Sequence, residues 1–339
     1  MKMQSSGFDE KGRFKVSQSK VNSWRLCRQK YHFAHVEQIA PKKKARPLKF
    51  GSIVHDMIDA DINGKNPFKV LKDIGKKNEN LFRQEVEMYG EIVKDVGYVM
   101  SEYFDYWDER PEAITFTPIG KFKCEIPFEV ELAKGIVAKG RIDAVGKAKK
   151  LKWLVEHKSH KSFPQPEDRW RNLQSVFYIR INDMMGWGSL DGTCWDYIRS
   201  KPPTRPHVLK NGELSRAALD SLPSVVRDVL KAHKLKEADY QDVIAKQEEN
   251  RATWFQRVFT PVSKHIIDPV VNDVIDTARE MADLHGKSKT KTIGRHCGWC
   301  GYKGLCAAEL QGHDVDFIKE REYGPNDYEA VRISDDAED

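Results

Sequence analysis

The sequence predicts an α/β fold with a mixed central sheet flanked by helices, and two observations predict it. From about 114 to 160, Val, Ile, Phe and Trp form alternating or β-rich runs separated by Gly- or Lys-rich turns, which predicts about four strands. Helical periodicity comes before this region, and a helix at 167–185 and a strand at 193–200 follow it. The order of helices, strands, helix and strand is typical of a mixed α/β core.

The N-terminal part is predicted to be helical. A first helix begins near Ser17 or Ser19, since a serine side chain can accept a hydrogen bond from the first turn, and it continues past Cys27 to about Val36. A second helix covers 50–62, and one or two amphipathic helices cover 80–108.

Further helices are expected in 214–233 and 262–285, with a short strand at 254–262 between them. We expect one domain over 1–313 and an acidic, partly disordered tail over 314–339. The domain divides into an N-terminal helical part, a core, and a C-terminal helical part with a cysteine cluster, at 17–110, 111–205 and 206–313.

Composition excludes several classes of protein. The chain has 339 residues, of which 32% are charged and 40% hydrophobic, and its net charge is +6. No apolar run reaches the roughly 18 residues of a membrane helix, and the first residues contain no apolar segment of a secretory signal. Six cysteines in this length do not form a disulfide scaffold. We therefore expect a cytoplasmic protein, or one of the host cytoplasm if it is phage-encoded.

Two carboxylates and a lysine are the first candidate site. Glu156 and Lys158 lie two apart in a strand-like run, so their side chains share a face. Asp143 lies in the preceding run and can face them across a hairpin. Two carboxylates suit Mg²⁺, and the ammonium can assist a metal-bound water or steady developing negative charge. An E-x-K pair is more often a solvated charge pair, but apolar neighbours around these residues favour a buried site.

Two helical pairs accompany the carboxylates. Gly51 and His55 lie four apart in one predicted helix, and Gln174 and Tyr178 lie four apart in another, so each pair shares a face. Alone, each pair is more often a packing detail.

Together these residues resemble a family: the RecB-type nucleases of the PD-(D/E)XK superfamily. The matching motifs are G-x3-H, G-R-I-D, E-x-K and Q-x3-Y, in that order, with Ile142 where the superfamily name has proline. The resemblance implies a restriction-endonuclease-like core. It implies that Mg²⁺ or Mn²⁺ is held by side chains and by a backbone carbonyl of the E-x-K motif, that the lysine assists catalysis, and that the Q-x3-Y helix contacts nucleic acid. The implied ligands are His55, Asp143, Glu156 and the carbonyl of His157, the catalytic lysine is Lys158, and the contacting residues are Gln174 and Tyr178.

Three cysteines form a second candidate site, with the spacing C-x2-C-x5-C at Cys297, Cys300 and Cys306. A tetrahedral metal site needs a fourth ligand. The pattern resembles RecB-type nucleases with an iron–sulfur cluster, such as CRISPR-associated RecB-like exonucleases and AddB-type subunits. That resemblance implies a [4Fe–4S] cluster with Cys27 as the fourth ligand, joining the N- and C-terminal helical parts. Zinc bound by three cysteines and a histidine such as His296 is the alternative.

Two aromatic residues lie within the cysteine segment. We expect Trp299 and Tyr302 to pack against the cluster, and stacking on bases is the alternative.

The predicted function is a metal-dependent DNA nuclease, an exonuclease acting on DNA ends in recombination, repair, phage or CRISPR-type processing. No G-x4-G-K-[ST] motif is present, so unwinding requires a partner such as a helicase or a recombinase system. A catalytically silent nucleic-acid-binding or assembly subunit is one alternative, and a zinc-ribbon-like interaction protein is another. Basic residues are expected along the phosphate path, namely Lys42, Lys43, Lys44, Arg199, Lys201 and Arg205.

Overall fold

The computed structural model describes residues 7–78, 83–108, 110–166, 169 and 172–326. These residues form two units, and each is described by itself. The first unit comprises the described parts of Met1–Lys44, Pro127–Gly140 and His265–Asp339. The second comprises the described parts of Ala45–Ile126 and Arg141–Lys264. The single domain expected over 1–313 stays a prediction.

The strands agree with the β-rich region of the sequence. In chain order they are β1 (Phe14–Val16), β2 (Ile39–Pro41), β3 (Thr115–Phe116), β4 (Cys124–Ala133), β5 (Ile136–Ala148), β6 (Leu151–His160), β7 (Gly192–Arg199), β8 (Phe255–Pro261) and β9 (Tyr323–Pro325). The four strands predicted between 114 and 160 are β3 to β6, and the strands predicted at 193–200 and 254–262 are β7 and β8. These predictions are confirmed. The three-residue strands β1, β2 and β9 were not predicted.

Along the chain, helices precede, separate and follow these strands. They are α1 (Gln18–Leu26), α2 (Arg28–Tyr31), α3 (Arg46–Ile62), α4 (Pro67–Asn78), α5 (Arg83–Tyr89), α6 (Ile92–Asp108), α7 (Leu173–Met184), α8 (Pro223–Ala232), α9 (Gln241–Asn250), α10 (Lys264–Leu284), α11 (Lys303–Gln311) and α12 (Val315–Glu322). Helix α7 begins later than the predicted start at 167, and several positions of that start lie outside the described residues. Among the helices that the structure describes, none is both long and apolar enough to cross a bilayer.

The first predicted helix begins as expected and ends early. The Ser17 side chain caps α1 by accepting a hydrogen bond from the Lys20 backbone N–H at 3.3 Å. At Cys27 the backbone turns extended, with φ −166° and ψ 117°. The predicted helical segment is therefore interrupted there, and it resumes as α2 and as a π-helical turn at His32–Val36. The Gln29 N–H bonds the Thr290 carbonyl at 3.0 Å instead of continuing the helical ladder. A tertiary hydrogen bond thus replaces the local one that periodicity predicts.

The sheet of the second unit mixes parallel and antiparallel pairs. Strands β5 and β6 form an antiparallel hairpin in which Ala144 pairs with Val155. Strand β7 runs parallel to β6, with Glu156 opposite Trp195, and β8 returns antiparallel to β7. A parallel neighbour requires a crossover connection, and α7 is that connection. The short strand β3 pairs with the far end of β5.

A helical core stabilises the sheet of the second unit. One face of α3 and one face of α6 are buried together with residues of β7 and β8. Each buried face follows the helical repeat, as a core-facing helix requires. The members with at most 1% exposure include Phe50, Val54, Met57, Val96, Val99, Met100, Ile198, Trp254 and Phe255.

The first unit is held by contacts between its N- and C-terminal segments. Strands β2 and β9 pair antiparallel, with Ala40 opposite Gly324. The Tyr31 hydroxyl and His285 Nδ1 are 2.9 Å apart, and Trp24 Nε1 donates to Glu280 at 3.1 Å. Within the predicted tail, residues 315–325 are ordered as α12 and β9, and residues 327–339 lie outside the described part.

Gly192 at the start of β7 tests the packing of the sheet. A Cβ there would lie 2.2 Å from the Thr260 carbonyl oxygen and 2.7 Å from Pro261 Cα, and backbone atoms cannot easily yield. We expect Gly192→Ala to lower the free energy of unfolding by about 2–4 kcal/mol in urea titrations. At Gly212, which also has a positive φ, a Cβ meets nothing within 4 Å, so Gly212→Ala should cost only about 1 kcal/mol. Equal midpoints for the two variants would contradict the packing argument.

Candidate metal-binding site

The hairpin of β5 and β6 brings the predicted carboxylates together. In the antiparallel register of this hairpin, Asp143 and Glu156 are the residues one position beyond the Ala144–Val155 pair. The Asp143 Oδ2 accepts the backbone N–H of His157 at 3.0 Å, and Lys158 Nζ donates to Glu156 Oε2 at 2.8 Å. The structure therefore places both carboxylates and the lysine at one location, as the period-two argument predicts.

Helix α7 brings a third group to Glu156. The Asn172 side chain caps α7 by accepting the Gln174 backbone N–H at 3.0 Å, and Gln174 Nε2 donates to Glu156 Oε2 at 3.1 Å. Both donors act on Oε2, and Oε1 is buried without a hydrogen-bond partner among the described residues. Burial raises the pKa of Glu156 to about 7, although the Lys158 ammonium acts to lower it. The ionised carboxylate thus lacks full compensation, which a cation at Oε1 would supply.

Helix α3 places His55 beside the hairpin. A Cβ at Gly51, one turn before His55, would lie 2.9 Å from the Ser159 Oγ of β6. The absence of a side chain at Gly51 therefore lets α3 approach β6 closely. The His55 ring centroid lies 6.2 Å from that of His157, with the planes nearly perpendicular.

A glutamate that the sequence analysis missed completes a cluster of potential metal ligands. Donor atoms of His55, Glu125 and Asp143 all lie within 4.8 Å of one another. An imidazole nitrogen and carboxylate oxygens at this spacing suit a divalent cation. Arg141 Nη1 is 3.9 Å from Glu125 Oε2. Glu125 stands between Cys124 and Ile126 in a β-rich run, so the criterion of a charge flanked by apolar residues would have identified it.

The backbone at Glu125 is unusual. Its φ is +47°, in the left-handed region, inside β4. A residue with a Cβ pays roughly 1–2 kcal/mol for that conformation. Such strain persists where surrounding structure fixes it and is concentrated at functional sites. The conformation is one reason why a simple alternation along β4 does not predict where this carboxylate lies.

The electrostatics of Asp143 also favour a ligand role. Burial by itself would raise its pKa, but the positive charges of His55, Lys158 and His157 and the His157 N–H outweigh burial and hold the pKa below its usual value. Asp143 is therefore ionised at neutral pH, as a metal ligand must be.

The His157 side chain does not join the ligand cluster. Its Nδ1 lies 3.2 Å from Asp196 Oδ2 of β7, which also accepts hydrogen bonds from the Tyr103 hydroxyl at 2.5 Å and from Arg257 Nη2 at 3.3 Å. All four side chains are buried or nearly so. This network holds β6 in place beneath the carboxylates. The predicted metal contact of the His157 carbonyl stays a prediction.

Tyr178 lies one turn after Gln174 on α7 and is 8% exposed. Burial, with the nearby charges of Glu156 and Asp143, raises its pKa far above the usual value, so its hydroxyl remains protonated. Gln174 and Tyr178 thus flank the candidate site, and their predicted contact with nucleic acid stays a prediction.

Several of the predicted phosphate-contacting residues are engaged elsewhere. Arg199 donates to both oxygens of Asp220, at 2.9 and 2.8 Å, and Lys201 donates to the same carboxylate at 2.7 Å. Arg205 pairs with Glu91 at 3.0 Å, and Lys42 donates to a backbone carbonyl, that of Glu320. Net charge in a sequence does not reveal these internal partners. Lys43 and Lys44 lie in the exposed loop after β2.

The four predicted cluster cysteines all lie in the first unit. Cys27 is 8% exposed, and Cys297, Cys300 and Cys306 are half-buried. Burial raises the pKa of the Cys306 thiol to about 11, and the nearby Cys300 and Cys27 sulfurs add to this shift. In the described chain no three of these sulfurs lie within 4.8 Å of one another. The [4Fe–4S] cluster and the zinc alternative with His296 both stay predictions.

The two aromatic residues of the cysteine segment differ. Tyr302 is 6% exposed, and its hydroxyl donates to the Ile39 carbonyl at 2.7 Å. Trp299 is 76% exposed. Tyr302 is therefore packed within the first unit, and Trp299 is exposed at the end of a 3₁₀ turn at Arg295–Trp299. Their predicted packing against a cluster stays a prediction.

The family model of the PD-(D/E)XK nuclease superfamily matches residues 15–307. No curated protein matches the chain. Fourteen chains of solved structures match. One, described as "Crystal structure of SSO0001", has 10% sequence identity and a TM-score of 0.29, and the match covers 76% of this chain and 85% of that one. The mixed sheet flanked by helices is consistent with the restriction-endonuclease-like fold of the matched superfamily.

Glu125 supplies a test of the ligand cluster that needs no enzymatic assay. We expect Glu125→Gln to weaken Mn²⁺ binding, titrated by calorimetry, at least as much as the 10- to 100-fold loss typical of removing an outer-shell partner. Glu129, in the same strand with a half-exposed side chain, is the matched control, and Glu129→Gln should bind Mn²⁺ like the wild type. If Glu125→Gln titrates like the wild type, Glu125 is not a ligand.

Proposed function

Because the chain belongs to the PD-(D/E)XK nuclease superfamily, we propose that it is a metal-dependent DNA nuclease, an exonuclease that hydrolyses phosphodiester bonds from DNA ends. The observation that carries the proposal is the geometry around Glu156. Lys158 and Gln174 both hold Oε2 and leave the buried Oε1 unpartnered among the described residues.

The residues at the site fit a divalent metal. His55, Glu125 and Asp143 bring donor atoms within 4.8 Å of one another, and Glu156 adds a buried carboxylate oxygen. These are hard ligands of the kind that Mg²⁺ and Mn²⁺ prefer. We propose these four side chains as ligands, with the His157 carbonyl as a further one. When bound, the metal polarises a phosphate oxygen and lowers the pKa of a coordinated water.

Lys158 is the proposed catalytic lysine. Its side chain is 26% exposed, while that of Glu156 is fully buried, so the ammonium lies between the buried carboxylate and solvent. From that position it can hold a nucleophilic water or stabilise negative charge on the phosphate. Gln174 donates to the same carboxylate oxygen, and Tyr178 lies one turn further along α7. We propose that this end of α7 orients the DNA strand.

We further propose that Cys27, Cys297, Cys300 and Cys306 hold a [4Fe–4S] cluster. Cys306 lies close enough to Cys300 and Cys27 for their charges to shift its pKa. Four thiolates are the ligand set of a [4Fe–4S] cluster, and Cys297, Cys300 and Cys306 fall within ten positions of the sequence. The cluster would join α1 to α11 within the first unit and act on stability.

The proposed partner is DNA, single-stranded or at duplex ends, with unwinding supplied by a helicase or another DNA-processing protein. We place the activity in the cytoplasm, or in the host cytoplasm for a phage protein, because a reducing compartment keeps cysteines out of disulfides and available as metal ligands. Recombination, repair, phage and CRISPR-type processing all require such end resection.

The alternative of a catalytically silent subunit with the same fold makes the opposite prediction for cleavage. The site residues retain mutual hydrogen bonds and converging donor atoms, which favours the enzyme.

The activity is tested with end-labelled linear DNA and covalently closed circles, each single- and double-stranded, with Mg²⁺ or Mn²⁺. We expect degradation of linear DNA only. Asp143→Asn and Lys158→Ala should each lower the rate at least about 100-fold while DNA binding remains. Lys150→Ala, in the exposed turn of the same hairpin, is the control and should cut normally.

Wild-type rates in either site variant would refute the assignment, and cutting of circles would make the protein an endonuclease. No cleavage with either metal would favour the silent subunit.

The cluster is tested by metal analysis of anaerobically purified protein. We expect about four irons per chain and a broad visible absorption. Cys300→Ser should lose iron and melt at a lower temperature. Cys124→Ser, at a buried cysteine of the second unit, should keep its iron. A stable, colourless wild type without iron would refute the cluster proposal, and one zinc per chain would support the alternative of a zinc site.

A further inference from the structure

An exposed tryptophan within a basic loop is not used by the proposed chemistry. Trp299 is 76% exposed and Ile293 is 77% exposed, both in the first unit. Such exposure is unusual for an indole in this protein. Five other tryptophans are at most 6% exposed, namely Trp24, Trp107, Trp153, Trp195 and Trp254. A large apolar side chain held in water is unfavourable by itself, which points to a partner that covers it.

The surroundings of Trp299 are strongly basic. Between Asp283 and Glu309 the chain contains five Lys or Arg residues and no Asp or Glu. We call residues 286–304 the tryptophan loop. Within the described structure, three of its exposed cations have neither an ion pair nor a side-chain hydrogen bond, namely Lys289, Arg295 and Lys303, whereas Lys287 Nζ donates to the Asp283 carbonyl at 3.0 Å. Lys291 is neutralised by Glu309 at 2.7 Å. The unpaired cations of the loop favour an anionic partner.

The loop is held in place on both sides of Trp299. The Thr290 carbonyl accepts the Gln29 N–H at 3.0 Å, and the Gly301 carbonyl accepts the Tyr323 hydroxyl at 2.7 Å. Within the turn, the Cys297 N–H bonds the Gly294 carbonyl at 3.0 Å. A fixed backbone presents the indole with little ordering left to occur on binding, which favours stacking of a flat ligand.

From these observations, and resting on the proposed nuclease function, we propose that the tryptophan loop binds single-stranded DNA, with one unpaired base stacked on Trp299 and the backbone phosphates beside Lys289, Arg295 and Lys303. An exposed aromatic ring within a positively charged surface is the combination by which proteins bind single strands without reading sequence. The bases of a duplex are already stacked on one another and cannot use the ring. The proposal therefore assigns this surface to unpaired strands.

An anionic membrane would also attract exposed Trp and Lys residues. Membrane-binding segments present a continuous apolar face along a helix. The tryptophan loop presents two separate apolar side chains in a turn and an irregular segment. Single-stranded DNA is thus the favoured partner, and a membrane is an outcome that the experiment distinguishes.

The test measures binding by fluorescence anisotropy, with the full chain in an Asp143→Asn background and no divalent metal. The probes are a labelled oligothymidine and a hairpin-capped duplex without free ends, and binding to phosphatidylserine vesicles is measured separately by co-sedimentation. We expect Trp299→Ala to weaken oligothymidine binding by about 5- to 140-fold, the range for loss of one stacked base. Trp299→Phe should recover part of the affinity, and duplex binding should not change. Phe317→Ala is the matched control, because Phe317 is 58% exposed in the same unit but lies in an acidic segment.

The cations are tested by salt dependence. For the triple variant Lys289→Gln, Arg295→Gln, Lys303→Gln, the slope of log affinity against log salt should fall by about 2, since each phosphate contact on a single strand contributes about 0.7. Trp299→Ala should leave that slope unchanged.

Three results would overturn the proposal: unchanged oligothymidine binding in Trp299→Ala, equal losses for oligothymidine and duplex, or loss of binding to phosphatidylserine vesicles without loss of DNA binding. If the Trp299→Ala variant melts at a lower temperature or loses iron, the oligothymidine affinity of Trp299→Phe and the salt dependence of the triple variant still test the proposal. Because binding is measured without cleavage, the two proposals fail separately. If the wild type cleaves DNA and the Trp299→Ala variant binds oligothymidine normally, only the proposed role of the tryptophan loop is refuted. If oligothymidine binding depends on Trp299 but the wild type does not cleave DNA, only the nuclease proposal is refuted.

Discussion

The buried carboxylate of Glu156 is the constraint on which the candidate site depends. A charged group without exposure is unfavourable by several kcal/mol unless hydrogen bonds and opposite charge compensate it. Two elements supply that compensation to one oxygen: Lys158 from the same strand and Gln174 from α7. Each restricts the fold. Strand β6 must keep its period of two, and the crossover to the parallel strand β7 must begin its helix beside the carboxylate. The other oxygen is buried without a hydrogen-bond partner among the described residues, and it is the one that we propose for the metal.

A second buried network supports the first from the side of β7. Asp196 accepts from Tyr103, Arg257 and His157, and although burial opposes its charge, these partners hold its pKa below the usual value. His157 connects the two networks, since its backbone N–H binds Asp143 while its ring faces Asp196. The residue between the glutamate and lysine of the E-x-K motif is thus a structural link between two buried anions. Replacing a partner of such a network leaves a charge uncompensated, which is more costly than losing an ordinary core contact.

The sequence predicts those parts of the site that follow from local periodicity. The i, i+2 spacing predicts that Lys158 meets Glu156, and the G-x3-H and Q-x3-Y spacings place His55 and Gln174 on helix faces that the structure brings to the hairpin. Glu125 was not identified as a candidate ligand, and its left-handed φ of +47° breaks the alternation of β4. The helix break at Cys27 was not predicted; the Gln29 N–H just after it bonds the carbonyl of Thr290, a partner distant in sequence that periodicity does not reveal. Arg199 and Lys201 were assigned to phosphates because their shared partner, Asp220, is likewise visible only in three dimensions.

The two units separate two kinds of chemistry. All proposed ligands of the divalent metal, with Lys158, Gln174 and Tyr178, belong to the second unit, and all four cluster cysteines and the tryptophan loop belong to the first. In the second unit, charges are buried and therefore held in fixed positions, as a reaction requires. In the first, Trp299 and unpaired cations are exposed, as a binding surface requires. The cysteine positions lie within and beside that surface, at Cys297 and Cys300 on either side of Trp299. A [4Fe–4S] cluster at these cysteines would fix the turn that carries the Trp299 side chain. It would therefore contribute to binding a DNA strand rather than to cleaving it.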